Sequence, residues 1–217
     1  MKSKLLAIFF ITCPLYVFAQ DSVYSDLAKQ LLVIDELDQQ YRNQIDETIS
    51  HFGNNSKEAK TLFKNMKTTD SLNLIQVEKI LNKYGWLGPD KIGNQANTTL
   101  FMVIQHSDLP AQIKYLPMMR AAVKQGNAKA GSLALLEDRV ALKQGKKQIY
   151  GSQVGWNMET NVSFVAPLED PDNVDKRRFE VGLPKLEIYL AEVGLKWDVE
   201  QYKKELPALE ATFFKKK

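Results

Sequence analysis

Hydrophobic and polar positions repeat along most of the chain with the period of a helix. Leu27, Leu31, Ile34 and Leu37 share one stripe, and Ile34, Asp38, Tyr41 and Ile45 another, so Asp21 to about Ser50 predicts a long helix. Phe52-Gly53-Asn54-Asn55-Ser56 reads as a loop with Ser56 as a cap, followed by a short helix over Lys57 to about Met66. Asp70 suits the N-cap of the next helix, whose apolar face is Leu72, Ile75, Val77, Ile80 and Leu81 and whose stop is Gly85. A central helix starts at Gly93 or Asn94 and ends near Asp108, because Pro110 disfavours helix at Leu109. Pro110 then opens a helix that stops at Gly126, and Ala128 to Gln144 forms another.

After Gly145 the period changes. One strand to about Gly155 and another from about Asn161 predict a single β-hairpin. A lone hairpin is marginal in water, so it should pack on the helices. Pro171 opens a helix to about Val181, Leu186 to Val193 is a further one, and Trp197 to Phe214 is the last, with a break expected at Pro207. The fold class is therefore mainly α: a single helical domain with one hairpin packed on the helices.

Composition changes this picture only at the N-terminus. Of 217 residues, 44% are hydrophobic and 25% charged, enough for one sizeable core. Lys2 and Lys4 precede an apolar run over Leu5 to Val17, and Val17-Phe18-Ala19 offers small residues before Gln20. This is the pattern of a secretory signal over residues 1–19, leaving 20–217 as the domain and a periplasmic or secreted address. The run is too short for a confident membrane span, and none is expected after cleavage. Cys13, the only Cys, follows Thr12 in mid-run, a poor setting for lipidation; cleavage after Ala19 removes it, and with it any thiol nucleophile or disulfide. The net charge of +3 falls to +1 without Lys2 and Lys4, which leaves no electrostatic footprint for nucleic acid.

The chemistry concentrates at the end of the central helix. Leu100-Phe101-Met102-Val103-Ile104 is apolar on every side and runs into Gln105-His106-Ser107-Asp108. Polar groups on a buried helix must find partners or line a cavity. His106 is one of two His residues and is suited to general acid–base work near neutral pH. Asp138 shares a stripe with Leu135 and Leu142, so its carboxylate lies on an apolar face and needs a partner: His106, Arg139 or Arg42. Asp38 and Arg42 are four residues apart. Their plain reading is a helix ion pair; the functional one turns both inward to join the pocket.

Two readings of function follow. The preferred one is a binding or interaction domain with a polar pocket around His106, contacted by Gln105, Arg139, Tyr150, Gln153, Asp38 and Arg42, for a ligand or protein partner of unspecified identity. The other is a hydrolase-like enzyme: His106 as general acid or base, Asp138 or Asp108 orienting the ring, and Gln105, Tyr150 and Gln153 donating to substrate. Nothing marks a nucleophile, since no G-x-S-x-G is present. A structural network with His106 as a satisfied core residue stands beside both. No two-His metal spacing occurs and no Gly-rich phosphate loop follows a strand, so neither metal nor cofactor is expected.

Several motifs, in order, resemble a bacterial family catalogued as domain of unknown function 6624. They are Asp38-Gln39-Gln40-Tyr41-Arg42, Tyr84-Gly85-Trp86, Gln105-His106-Ser107-Asp108, Glu137-Asp138-Arg139, Gln148-Ile149-Tyr150-Gly151-Ser152-Gln153, and Asp170-Pro171 with Val174-Asp175, Arg177-Arg178 and Val181-Gly182-Leu183. The resemblance spans about residues 30 to 190. Leu87-Gly88-Pro89 follows Trp86 where the family pattern more often has Pro directly. The resemblance implies a domain assignment and carries no activity with it.

Overall fold

A computed structural model describes residues 15–157 and 162–215, with side chains described from residue 22 on. The first fourteen residues of the expected leader, Cys13 among them, lie outside the described residues, as does Asn161, where the second strand was expected to begin. Helix α1 runs over Leu15–Gln40, a 3-10 turn over Arg42–Gln44, and α2 over Ile45–Phe52. The long first helix expected to Ser50 is thus broken after Gln40. The break re-aims the chain: Arg42 folds back to donate to the carbonyl of Asp38 and reaches across to Asp70. Tighter 3-10 turns of this kind often interrupt helices where a side chain is needed elsewhere.

Helix α3 is continuous over Lys57–Tyr84, capped by the Ser56 hydroxyl, which accepts from the Ala59 amide at 3.0 Å. This corrects the two-helix reading. No Gly or Pro interrupts residues 66–70, and the Asp70 side chain, expected to cap, is turned to Arg42 instead. Helix α4 covers Pro89–His106, with a non-helical Gly93 (φ 79°) separating its first turn from the buried run. Helices α5 (Leu109–Lys124) and α6 (Ala130–Lys143) follow as the sequence predicts.

Strands β1 (Val154–Asn157) and β2 (Val162–Val165) pair antiparallel, Val154 opposite Val165. Gly155 is required here: a Cβ on it would lie 2.5 Å from the Phe164 ring. A 3-10 turn (Pro171–Asn173) leads into α7 (Val174–Glu180), then α8 (Leu186–Glu192) and α9 (Val199–Lys215). Pro207 lies inside α9 without ending it, against expectation.

The main core joins α1, α3, α4, α5 and α6 through Leu31, Val77, Leu100, Ile104, Met119 and Leu136. A second apolar cluster sits under the hairpin, where Val165, Leu168, Val174, Leu186, Leu190 and Tyr202 meet. The Tyr202 hydroxyl donates to the Ala166 carbonyl and accepts from the Leu168 amide, and Phe213 of α9 stacks edge-on against Phe164 of β2. The molecule is mainly helical with one hairpin packed on helices. Among the described residues no helix is long and apolar enough to cross a membrane.

Candidate functional site

The last turn of α4 is where α1, α3 and α6 converge. Asp38, on the inward stripe of α1, is 1% exposed. Both of its oxygens lie 3.0 Å from His106 Nδ1. An ionised carboxylate only accepts, so Nδ1 carries the proton and donates. Nε2 is then the ring nitrogen left open, and no described group bonds to it. The His106 side chain keeps 14% exposure. Gln39 Nε2 donates to the same carboxylate at 2.7 Å, and Arg42 Nη1 lies 3.4 Å from it.

Arg42 extends this pair into a network. Its Nη2 donates to both oxygens of Asp70 at 2.9 Å. Burial, with the nearby Asp38 charge behind it, raises the Asp70 carboxyl above its ordinary value against the pull of Arg42. The ion pair of Asp38 and Arg42 read from the sequence forms, at 3.4 Å, but not at the surface: both side chains turn inward.

Arg139 of α6 reaches the same helix end from the other side. Its Nη1 donates to the Gln105 carbonyl at 3.2 Å and its Nε to Gln153 Oε1 at 3.0 Å. Gln112 Nε2 and Lys143 Nζ cover the neighbouring carbonyls, Gln112 those of Gln105 and Ser107, Lys143 that of Ser107. Cations are favoured at the negative end of a helix. Burial pushes the Arg139 guanidinium below its usual range, and the nearby charge of Arg42 works in the same direction. Gln105 is buried; its Nε2 reaches the Leu135 carbonyl at 3.4 Å, while its Oε1 finds no partner. Asn73, one turn beyond Asp70 on the core face of α3, is buried with neither side-chain atom partnered.

Asp138 belongs to a different construction. It is 0% exposed, and its oxygens accept from the amides of Ile149 (2.6 Å), Tyr150 (3.0 Å) and Ser152 (3.0 Å). The loop between α6 and β1 wraps around this carboxylate. Gly151 makes the wrap possible, with φ 68° and a hypothetical Cβ 3.0 Å from Leu186. Buried Gln148 closes the loop, its side chain bonding the Gln153 amide and carbonyl and the Ala166 carbonyl. Arg178, 1% exposed, holds the Tyr150 and Pro184 carbonyls from below and stacks on Tyr189. So none of the three partners expected for Asp138 is the one it has. Burial still raises its carboxyl above the ordinary value, against the pull of the amides.

Of the residues singled out from sequence, Arg42 and His106 both meet Asp38, and Gln105, Arg139 and Gln153 form an adjoining hydrogen-bonded group. Asp108 stands apart as the N-cap of α5, accepting from the Ala111 amide at 3.0 Å. Tyr150 takes part through its backbone, at Asp138 and Arg178. Asp70, Asn73 and Gln112 were missed. Their signal was present, since a polar residue on the inward stripe of a long helix demands a partner. Ser107 and Ser152 are committed, the first to the Ile104 carbonyl and the second to Gln153 Nε2. Among the described residues no three His, Cys, Asp or Glu side chains are placed to hold a metal ion.

The fold and the polar network at the end of α4 define a helical domain with a partly open His–Asp pair. Residues 25–199 match the model of a family described as a family of unknown function (DUF6624), and the chain belongs to that family. No curated protein and no solved structure matches it.

Proposed function

We propose that this chain is an exported binding domain whose ligand is taken at the polar network around His106. His106 and Arg139 contact the ligand, Arg42, Gln105 and Gln153 shape the wall, and Asp38 fixes the ring. One observation carries the reading. A nearly fully buried carboxylate turns both oxygens to one imidazole nitrogen, with Gln39 and Arg42 beside it, while no described group bonds the opposite nitrogen of the part-exposed ring. A network built only for packing satisfies its members; this one holds a part-exposed ring with one acceptor nitrogen unused.

The same pair supports a second reading, a water-activating hydrolase-like enzyme. A carboxylate on Nδ1–H fixes the tautomer in which the Nε2 lone pair can take a proton. With Ser107 and Ser152 engaged in local bonds, water is the nucleophile this geometry suits.

A screen of the purified protein on cell-wall peptides, glycans and small esters, beside His106→Ala, tests both. The binding reading predicts a captured ligand, no turnover, and weaker affinity in the variant. The hydrolase reading predicts turnover that falls about a hundred- to ten-thousand-fold. Affinity and turnover unchanged in a folded His106→Ala would refute both. Export rests on Lys2, Lys4 and the apolar run to Val17. Sequencing the N-terminus of the product should give Gln20; a start at Met1 contradicts export.

A further inference from the structure

The two arginines of the network are treated unequally. Arg42 is neutralised, its Nη2 meeting both Asp70 oxygens at 2.9 Å. Arg139 is not. Its Nε and Nη1 go to neutral oxygens, Gln153 Oε1 at 3.0 Å and the Gln105 carbonyl at 3.2 Å. Among the described residues no carboxylate lies within ion-pair distance of Arg139, and its Nη2 takes no partner. Arg42 is near enough for the two positive charges to oppose each other. The end of α4 offers roughly half a negative charge, which answers a full guanidinium only in part. Arg139 is only partly buried, yet a charge drawn even partly out of water is ordinarily answered by an opposite one. On the same helix end Gln105 Oε1 is buried and, among the described residues, without a donor; only an N–H or O–H elsewhere on a ligand would answer it, not the oxyanion. The protein alone does not close this cluster.

Resting on the reading of the network as a ligand pocket, we infer that the ligand carries an oxyanion, a carboxylate or phosphoryl group, that docks on the Nη edge of Arg139. The planar fork suits two parallel N–H···O bonds to such a group. An oxyanion there also answers the like-charge opposition between Arg139 and Arg42. A neutral acceptor can take an N–H···O bond from Arg139 but leaves the two like charges opposed.

The test is a titration followed by the His106 ring resonances and the thermal midpoint. Probes are inorganic phosphate, acetate and neutral N-acetylglucosamine, each against sodium chloride at matched ionic strength. The inference predicts a saturable response to phosphate or acetate beyond that of chloride, and which of the two binds more tightly tells phosphoryl from carboxylate. Affinity should fall in the order wild type, Arg139→Lys, Arg139→Gln, by about tenfold or more in the last. If Arg139→Gln folds poorly, Arg139→Lys decides, because it keeps the charge and loses the fork. Responses equal to chloride, or unchanged in the variants, overturn the inference. A response to N-acetylglucosamine alone, or silence from every probe, overturns it, while the reading of the network as a ligand site stands or falls on the wider screen with His106→Ala.

Discussion

Asp38 and Asp138 are both buried carboxylates on helices of one core, and the chain answers them in opposite ways. Asp138 is held by backbone: the amides of Ile149, Tyr150 and Ser152 all point at it, and the loop from α6 to β1 takes its shape from that grip. Asp38 is held by side chains: His106, Gln39 and Arg42. Backbone donors cannot leave without unmaking the loop. Side chains such as His106 and Arg42, 14% and 17% exposed, can turn to water or to a ligand. A carboxylate wrapped in amides is locked by its loop; one held by part-exposed side chains can exchange its partners.

The comparison predicts unequal costs. Asp138→Ala leaves three amides without their acceptor, each worth about 1–3 kcal/mol where water is kept out, so a loss of about 3–5 kcal/mol is expected, allowing for rescue by water at the part-buried Ile149 and Tyr150. Asp38→Ala should cost less, about 1–3 kcal/mol, because its partners can reorient. Urea unfolding of the two variants measures both. A larger loss for Asp38→Ala would reverse the assignment of roles.

The next effect is smaller and concerns pH. Burial raises the folded-state carboxyl of Asp138 above its ordinary value. The folded state therefore binds the proton more readily than the unfolded state, and this group's titration adds stability as pH falls toward the ordinary carboxylate value. Asp138→Asn has no such group. The stability of wild type relative to Asp138→Asn should rise from pH 7 to pH 4. A relative fall would mean that the three amide bonds outweigh burial.

The fold was largely legible, because periodicity and Pro/Gly punctuation act locally. Gly85, Pro110 and Gly126 end or open helices where the pattern expects. The misreadings share a cause. Asp70 looks like a cap to any local reading, and Asp38 with Arg42 looks like a routine pair; both are drawn away by partners far along the chain, Arg42 for Asp70 and His106, 68 residues on, for Asp38. The pairing of Asp138 was illegible for another reason. Its partners are backbone amides of a loop, which carry no residue identity; only Gly151 and the polar run around it hinted at the wrap. That His106 stood near the centre was readable from its place at the end of an apolar helix; which carboxylate held it was not.

The central claim is that Asp38 fixes the His106 ring with Nδ1 protonated and Nε2 free. Side-chain ¹⁵N spectra of the folded protein, recorded where His106 is neutral, test it most directly. The account predicts Nδ1 as the N–H nitrogen and Nε2 as the bare one, with Asp38→Ala losing that preference while Asp138→Asn keeps it. A proton on Nε2 in the wild-type protein, or the same tautomer with and without Asp38, would contradict it.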